Sequence, residues 1–215
     1  MVKPVAFVGD VHGDAVRLAR LLERSVDWER PLVFLGDYVN RGADSAAVLR
    51  LLSLAVARGD VALLGNHDYA LLQYLDGTLG FADFAALGGA ATIRSYVNDP
   101  RGDVRSQLIA SVPADHLALL RGLVPFWESP SVFASHTGYD PEHPKSRAAA
   151  DVAMRGHANL FHDRSRPAET VVCGHYTQRT GEPYISPDLV CLDTGCGSGG
   201  PLTAWLWPER TVFQF

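Results

Sequence analysis

Hydrophobic and polar positions alternate in regular blocks along the first third of the chain. Three short apolar runs predict buried strands over 5–8, 32–35 and 61–64. Between them, leucines and valines recur at helical spacing, which predicts one helix from Asp14 to about residue 24 and another over 45–57. Each strand–helix unit takes about 30 residues, the size of a βαβ unit. The three strands are therefore predicted to be parallel, with right-handed crossovers.

The rest of the chain changes from helix to strand. Residues 69–107 have a helical composition interrupted by glycines, and we expect them to provide packing rather than chemistry. Apolar runs at 123–127, 131–134, 170–173, 189–192, 202–207 and 211–215 predict strands, the last three as an antiparallel meander. The predicted fold is one α/β domain over 1–215, a four-layer α/β/β/α sandwich with a parallel βαβ N-terminal half and a mixed or antiparallel C-terminal half.

Composition narrows the class of protein without fixing its function. The 215 residues are 47% hydrophobic and 20% charged, which is ordinary for a globular domain. The formal net charge of −5 argues against a general nucleic-acid binder, which normally has a basic face. The apolar runs are far shorter than the roughly 20 residues that span a membrane. Three cysteines without Cys-x-x-Cys spacing favour a reduced setting, so we expect a cytoplasmic protein with no nucleic-acid or membrane partner.

Each of the three predicted parallel strands ends in a glycine followed by a metal-binding residue type. These dipeptides are Gly9-Asp10, Gly36-Asp37 and Gly65-Asn66. The carboxyl ends of parallel strands lie at one edge of a sheet, where open α/β sheets bind ligands, so these side chains are predicted to converge. Later strands also lead into histidines. The candidate metal ligands are Asp10, His12, Asp37, Asn66, His136 and His175.

Six candidate ligands are enough for two metal ions. Two divalent ions about 3.5–4 Å apart can share one carboxylate, and Asp37 is the natural bridge because it follows the middle strand. We assign Asp10 and His12 to one ion together with Asp37. The ligands assigned to the other ion are Asp37, Asn66, His136 and His175. Nitrogen and oxygen ligands without thiolate suit manganese, iron, zinc or cobalt, and manganese is the predicted metal while the other three stay open.

Two further polar residues accompany the candidate ligands. Arg41 lies four residues after Asp37, where its guanidinium can clamp a phosphate beside the metals. His67 directly follows Asn66, so it can face the substrate and act as a general acid. Arg41, Asn66 and His67 are therefore the candidate substrate-binding residues. Two cations lower the pKa of a bridging water toward neutrality, and the predicted reaction is attack of that hydroxide on a phosphoester.

These motifs resemble those of the calcineurin-like metallophosphoesterases, and among them the bacterial phosphoprotein phosphatases of the serine/threonine (PPP) type. The resemblance implies a central β-sandwich flanked by helices, a two-metal centre and hydrolysis of phosphomonoesters. It carries metal binding onto the six candidate ligands, phosphate binding onto Arg41 and acid catalysis onto His67. The matching segments are Gly9-Asp10-Val11-His12-Gly13, Gly36-Asp37-Tyr38-Val39-Asn40-Arg41-Gly42, Gly65-Asn66-His67-Asp68, His136 and Gly174-His175.

The chain departs from the phosphoprotein phosphatases at three positions. Asn40 stands where they usually have the aspartate that pairs with the catalytic histidine. Asn40 is thus predicted to orient His67 without favouring the charged form of its imidazole. Substrates with good leaving groups are therefore expected to be favoured. Asp68 replaces the usual glutamate, either as a structural acid or as a substitute partner of His67. Thr177 replaces the second histidine of the superfamily's phosphodiesterases, which favours the phosphatase branch.

A second phosphate-binding arginine is also implied by the resemblance, between the last two histidine motifs. Arg155 is the predicted one because it lies in a Met-Arg-Gly break rather than on an obvious solvated helix. A surface role for Arg155 stays equally open. The other candidates are Arg147, Arg164 and Arg166.

The predicted function is a two-metal phosphatase acting on phosphoserine, phosphothreonine or phosphotyrosine proteins, or on small phosphomonoesters. The rival enzyme is a bis(5'-nucleosyl)-tetraphosphatase, which would hydrolyse diadenosine tetraphosphate. Bacterial enzymes of that kind resemble this chain in their motifs but are usually longer. A scaffold that has lost catalysis is a third alternative, for which Asn40 alone speaks. The expected partner is a phosphorylated protein or a small phosphoester, and the oligomeric state is left open.

Overall fold

Two five-stranded sheets are formed by the described residues of the computed structural model, which are 3–141, 156–157, 159–162 and 167–215. The strands in chain order are β1 (Val5–Val8), β2 (Leu32–Phe34), β3 (Val61–Ala62), β4 (Phe126–Glu128), β5 (Val132–Ser135), β6 (Thr170–Cys173), β7 (Tyr184–Ile185), β8 (Leu189–Cys191), β9 (Thr203–Trp207) and β10 (Thr211–Gln214). Nine of these strands fall close to the predicted apolar runs, whereas β7 was not predicted.

The first sheet joins the two ends of the chain in the order β10-β9-β1-β2-β3. As predicted, β1, β2 and β3 are parallel. β9 and β10 form a hairpin, and β9 pairs antiparallel with β1. β3 is shorter than predicted, because beyond Ala62 the chain makes an isolated bridge from Leu63 to Val124. The parallel arrangement places the ends of β1 and β2 side by side.

The second sheet is mixed and has the order β4-β5-β6-β8-β7. β5, β6 and β8 are parallel, and the edge strands β4 and β7 are antiparallel to their neighbours. The predicted antiparallel meander of the last three apolar runs is therefore wrong. β8 lies in the second sheet beside β6, whereas β9 and β10 complete the first sheet. Residues 192–202 carry the chain from one sheet to the other.

Strand β1 shows how the layers pack, because all four of its residues are buried. Val5 and Phe7 belong to the core between the sheets, together with Trp205. Ala6 and Val8 belong to the core between the first sheet and the helices. Alternate residues of a strand point to opposite faces, so both faces of this sheet are covered. The predicted fold class, two face-to-face sheets with helices outside, is confirmed.

Helices between β1 and β4 cover the outer face of the first sheet. They are α1 (Ala15–Ser25), α2 (Ser45–Ala57), α3 (Asn66–Asp76), α4 (Phe81–Ala86), α5 (Gly89–Tyr96), α6 (Val104–Ser111) and α7 (Ala114–Arg121), with a 3₁₀ turn at Val26–Trp28. The carboxylate of Asp14 accepts the N–H of Arg17 at 3.0 Å, and that of Asp44 accepts the N–H of Ala47 at 2.9 Å. These side chains satisfy backbone donors that a helix leaves unpaired, which fixes where α1 and α2 begin.

His116 on α7 is buried. Its Nδ1 lies 2.8 Å from the hydroxyl oxygen of Tyr96 on α5, so the two helices share a polar contact inside the helical layer. Among the described residues, the helices are too short or too polar to cross a bilayer.

Candidate metal centre

All six candidate ligands lie just beyond strands, along the line where the two sheets meet. Asp10, His12 and Asp37 follow strands of the first sheet, and α3 begins at Asn66. His136 and His175 follow β5 and β6 of the second sheet. The two sheets therefore supply donors to one cluster. The buried members are Asp10, His12, Asp37 and His136, and the half-buried ones are Asn66 and His175.

Four of these side chains direct ligand atoms at one point. The Oδ1 atom of Asn66 lies 3.0 Å from Nε2 of His136 and 2.9 Å from Nδ1 of His175. The two imidazole nitrogens are 3.3 Å apart, and Oδ2 of Asp37 is 3.4 Å from Nε2 of His136. Nδ1 of His136 lies 2.9 Å from the carbonyl of Leu35, to which a neutral ring donates, leaving the lone pair of Nε2 free for a metal. The donor set fits a divalent cation.

The second group of donors shares Asp37 with the first. Nε2 of His12 lies 3.6 Å from Oδ2 of Asp37 and 3.9 Å from Oδ2 of Asp10. Nδ1 of His12 is 3.1 Å from the carbonyl of Val39, which again leaves Nε2 as the acceptor nitrogen of a neutral ring. The same Asp37 oxygen thus faces both groups, the position that a bridging carboxylate needs.

His67 lies at the edge of this second group. Its Nε2 is 3.9 Å from Oδ2 of Asp37, and His12, Asp37 and His67 each offer a ligand atom within 4.8 Å of the others. Nδ1 of His67 is 2.9 Å from Nδ2 of Asn40, so the predicted Asn40–His67 contact is present. By distance alone, His67 could be either a ligand or a group that faces the substrate.

Charge is concentrated in this buried cluster. Burial, reinforced by the carboxylates of Asp193 and Asp37, raises the pKa of Asp10 well above its usual value. The imidazoles around Asp37 overcome its burial and lower the pKa of that carboxyl strongly. Burial opposes protonation of His136, yet Asp37 raises the pKa of His136 to about 10. The neighbouring carboxylates repel one another, and the negative charge of Asp37 favours a proton on His136. Bound cations would neutralise the carboxylates and take the place of that proton.

Arg41 lies on a tight loop beside His12 and His67. Asn40 and Arg41 both have left-handed backbone angles, with φ values of 72° and 64°, and the N–H of Arg41 donates to the carbonyl of Gly88 at 3.3 Å. The Nη1 atom of Arg41 is 2.8 Å from Nε2 of His12, and Nη2 is 3.2 Å from Nε2 of His67. Non-glycine residues in this conformation cost energy and occur at functional sites. The loop holds the guanidinium beside the predicted ligands.

Asp68 proves to be a structural acid rather than a substitute partner for His67. Its carboxylate accepts backbone N–H groups of Asp37, Tyr38 and Gly65 at 2.8, 2.9 and 3.1 Å. Burial and the Asp37 carboxylate raise the pKa of Asp68 to about 7. These bonds tie the loop after β2 to the start of α3. The sequence offered both roles for Asp68, because it does not show which N–H groups converge on it.

The sequence missed two hydroxyl residues that contact the loop of Asn40. Thr92 on α5 donates its hydroxyl proton to Oδ1 of Asn40 at 2.7 Å, and the hydroxyl of Ser45 lies 3.0 Å from that of Thr92. Thr92 belongs to the segment expected to provide packing alone, so that expectation is incomplete. A single threonine on an amphipathic helix carries no motif, and the sequence had no signal that could have singled it out.

The segment between β5 and β6 contains the candidates for a second phosphate-binding arginine, and it also contains His157. Arg155, with the alternatives Arg147, Arg164 and Arg166, lies outside the described residues. His157 is half-buried, with Nε2 3.5 Å from a carboxylate oxygen of Asp140. Its backbone N–H donates to the hydroxyl of Tyr176 at 2.8 Å.

Sequence similarity identifies the family to which this chain belongs. The sequence model of the calcineurin-like phosphoesterases matches residues 3–191, which contain every candidate ligand. The chain belongs to this family. Enzymes of the calcineurin-like phosphoesterase family are metal-dependent hydrolases with a dinuclear centre, and the two donor groups that share Asp37 fit such a centre.

Two relatives and one similar solved structure are named for the same kind of substrate. The chain is 27% identical to the symmetrical bis(5'-nucleosyl)-tetraphosphatase of Nitrosospira multiformis, covering 96% of this chain and 94% of the relative. It is 32% identical to the enzyme of the same name from Ralstonia nicotianae, over 94% of this chain and 88% of the relative. The crystal structure of a proposed diadenosine tetraphosphatase is similar with a TM-score of 0.67 and 26% identity, covering 99% of this chain and 93% of that one. These relatives support the rival tetraphosphatase reading better than the phosphatase reading.

The shorter length of this chain does not weaken the similarity. The match to the Nitrosospira enzyme spans 266 alignment positions, whereas 96% of 215 residues is about 206, so that relative carries about 60 residues without a counterpart here. Because 94% of the relative is nevertheless covered, the extra residues lie within the aligned region.

Proposed function

We propose that this calcineurin-like phosphoesterase hydrolyses the phosphoanhydride chain of a dinucleoside tetraphosphate such as diadenosine tetraphosphate. The names of its relatives support this substrate class. Within the site, the observation that carries the proposal is the partner of His67. Nδ1 of His67 faces the neutral amide of Asn40 at 2.9 Å, while the nearest described carboxylate, Asp37, is 3.9 Å from Nε2.

A neutral partner changes which bonds the site can break. A carboxylate beside Nδ1 would stabilise an imidazolium that protonates a poor leaving group, and an amide does not. The leaving group of a phosphoanhydride is itself a phosphate, which departs with far less protonation than an alkoxide. Asn40 is therefore more compatible with anhydride cleavage than with cleavage of alkyl phosphomonoesters.

The side chains have separate tasks in this mechanism. Two divalent cations held by the six donors would supply an activated water and neutralise phosphoryl charge. Arg41 contacts Nε2 of His12 at 2.8 Å, so the guanidinium must release that nitrogen when His12 binds a metal. Released, it is placed to take phosphoryl oxygens in a bidentate pair. His67 can donate a proton from Nε2 to the leaving oxygen when its ring carries protons on both nitrogens.

Hydrolysis of phosphomonoesters is the second candidate function, because the same donors, Arg41 and His67 would serve that bond as well. A competition of substrates separates the two. Protein loaded with Mn²⁺ is assayed with diadenosine tetraphosphate, a phosphoserine peptide and para-nitrophenyl phosphate, and Asp37→Asn is the inactive control. We expect the highest kcat/KM for the tetraphosphate, with products that chromatography identifies as two ADP or as ATP and AMP. A higher kcat/KM on the phosphopeptide would overturn the proposal.

A further inference from the structure

The amide of Asn40 lies between His67 and a buried hydroxyl. On one side its Nδ2 is 2.9 Å from Nδ1 of His67, and on the other its Oδ1 is 2.7 Å from Oγ1 of Thr92. Oγ1 of Thr92 also accepts the backbone N–H of Asn40 at 2.9 Å and lies 3.0 Å from Oγ of Ser45. Asn40, Thr92 and Ser45 are fully buried, so each of their polar groups needs a partner within this network.

As placed, His67 has an N–H donor at both of its ring nitrogens. Nδ2 of Asn40 faces Nδ1, and Nη2 of Arg41 faces Nε2 at 3.2 Å. A neutral imidazole has one acceptor nitrogen and one N–H, so it cannot accept both contacts. A half-turn of the Asn40 amide exchanges its oxygen and nitrogen within nearly the same space. Nδ1–H of His67 then donates to the amide oxygen, while Nε2 accepts from Arg41.

The half-turn requires an acceptor for the amide nitrogen, and Thr92 provides it. Nδ2 of Asn40 would donate to Oγ1 of Thr92, and the hydroxyl proton of Thr92 would turn to Oγ of Ser45. A threonine hydroxyl can change from donor to acceptor by rotation alone, which a carbonyl or an ammonium group cannot do. Nε2 of His67 then accepts a hydrogen bond from the Arg41 guanidinium instead of meeting it with an N–H. Because hydrogen bonds from charged donors are the stronger ones, we expect this arrangement to be the lower in free energy.

We propose that Thr92 is a positioning residue that accepts the Asn40 amide nitrogen, passes its own hydroxyl proton to Ser45, and so keeps the Asn40 oxygen toward Nδ1 of His67. In this way a neutral amide serves His67 as an acceptor, a task for which a carboxylate needs no such helper. The inference rests on the proposed function only in that His67 takes part in hydrolysis. The orientation of the amide itself can be measured without turnover.

The helix α5 also supplies a matched control. Ser95, one turn after Thr92, donates its hydroxyl proton to the carbonyl of Thr92 at 2.7 Å and accepts the N–H of Ala46 at 3.2 Å. Like the hydroxyl of Thr92, it joins α5 to α2, but it does not contact Asn40. Ser95→Ala therefore reports what the loss of a hydroxyl between these helices does to stability alone.

The test uses nitrogen-15 NMR of histidine-labelled, zinc-loaded protein at one fixed pH, with His67 assigned by the signal that His67→Gln removes. We expect the wild-type His67 proton on Nδ1. Thr92→Val should move the proton to Nε2, because the amide nitrogen, without its acceptor, turns to Nδ1. Ser45→Ala removes the acceptor of the Thr92 proton and should do the same. Thr92→Ser and Ser95→Ala should leave the proton on Nδ1.

Kinetics of the same variants give the second readout. With diadenosine tetraphosphate or, if that is not hydrolysed, para-nitrophenyl phosphate, Thr92→Val should lower kcat roughly 10- to 100-fold with little change in KM. A ring whose Nδ1 faces the Asn40 amide N–H cannot hold the second proton that a general acid gives up from Nε2. Thr92→Ser should restore most of kcat, and Ser95→Ala should retain it. A wild-type proton on Nε2, or Thr92→Val and Ser95→Ala behaving alike in NMR and kcat, would overturn the inference. If the tetraphosphate is not cleaved while the NMR result holds, the proposed substrate fails and the role of Thr92 stands.

Discussion

Removal of the Asp68 carboxylate should destabilise the protein more than removal of an ordinary surface acid. In Asp68→Ala, the backbone N–H groups of Asp37, Tyr38 and Gly65 lose their acceptor inside the protein. A buried donor left without a partner costs about 1–3 kcal/mol. Burial of the Asp68 carboxylate itself costs free energy, as its raised pKa shows. Removal of the carboxylate recovers that cost and so offsets part of the lost hydrogen bonding.

We expect Asp68→Ala to lower the free energy of unfolding by ~3–5 kcal/mol. This value is the cost of three lost hydrogen bonds minus the recovered cost of burying the carboxylate. Asp60→Ala is the matched control, because one Asp60 oxygen accepts a single backbone N–H, that of Leu32 at 2.9 Å, far from the site. It should cost about 1 kcal/mol. Asp68→Asn keeps one oxygen and should fall between the two.

The measurement is urea unfolding followed by circular dichroism, with chelator present so that metal binding does not mask the difference. The affinity for metal is measured separately by calorimetry. Because Asp68 holds the N–H of Asp37, Asp68→Ala should also weaken metal binding, whereas Asp60→Ala should not. If both variants lost equal stability and bound metal as the wild type does, Asp68 would not be the residue that joins the two loops.

Three other variants test the geometry of the centre. Asp37→Asn should reduce the bound metal from two ions to at most one by elemental analysis, since both donor groups share Asp37; retention of two would disprove the bridge. His67→Ala should keep both ions but lower kcat, and loss of an ion would show that His67 is a ligand. Gly174→Ala should weaken metal binding, because its Cβ would lie 2.0 Å from Oδ1 of Asp10; an unchanged calorimetric affinity would contradict the close approach.

Local patterns predicted the parts of this protein that depend on local chemistry. α2 extends over the predicted residues because Asp44 caps its start and its apolar stripe faces the sheet. The glycine–acid ends of β1 and β2 converge because parallel strands present their carboxyl ends at one edge. The same local patterns place all six candidate ligands just beyond strands, and their role as metal ligands stays a prediction.

Contacts between distant segments were not predictable in the same way. β8 and β9 are both apolar strands, and nothing within them specifies that one pairs with β6 and the other with β1. Thr92 is 52 residues from Asn40 in sequence, and its role depends on how α5 packs over the loop. A partner chosen by tertiary packing leaves no periodicity in the sequence, so propensity and spacing do not reveal it.

The supply of donors from both sheets has a consequence for folding. Asp37 and His136 belong to different sheets and are 3.4 Å apart only when the sheets have docked. An ion held between them would act as a cross-link that closes a loop of about 100 residues. The entropy lost on closing this loop is already lost when the two sheets dock during folding. High-affinity metal uptake should thus appear late in refolding, and its time course would report the docking of the two halves rather than the formation of either one.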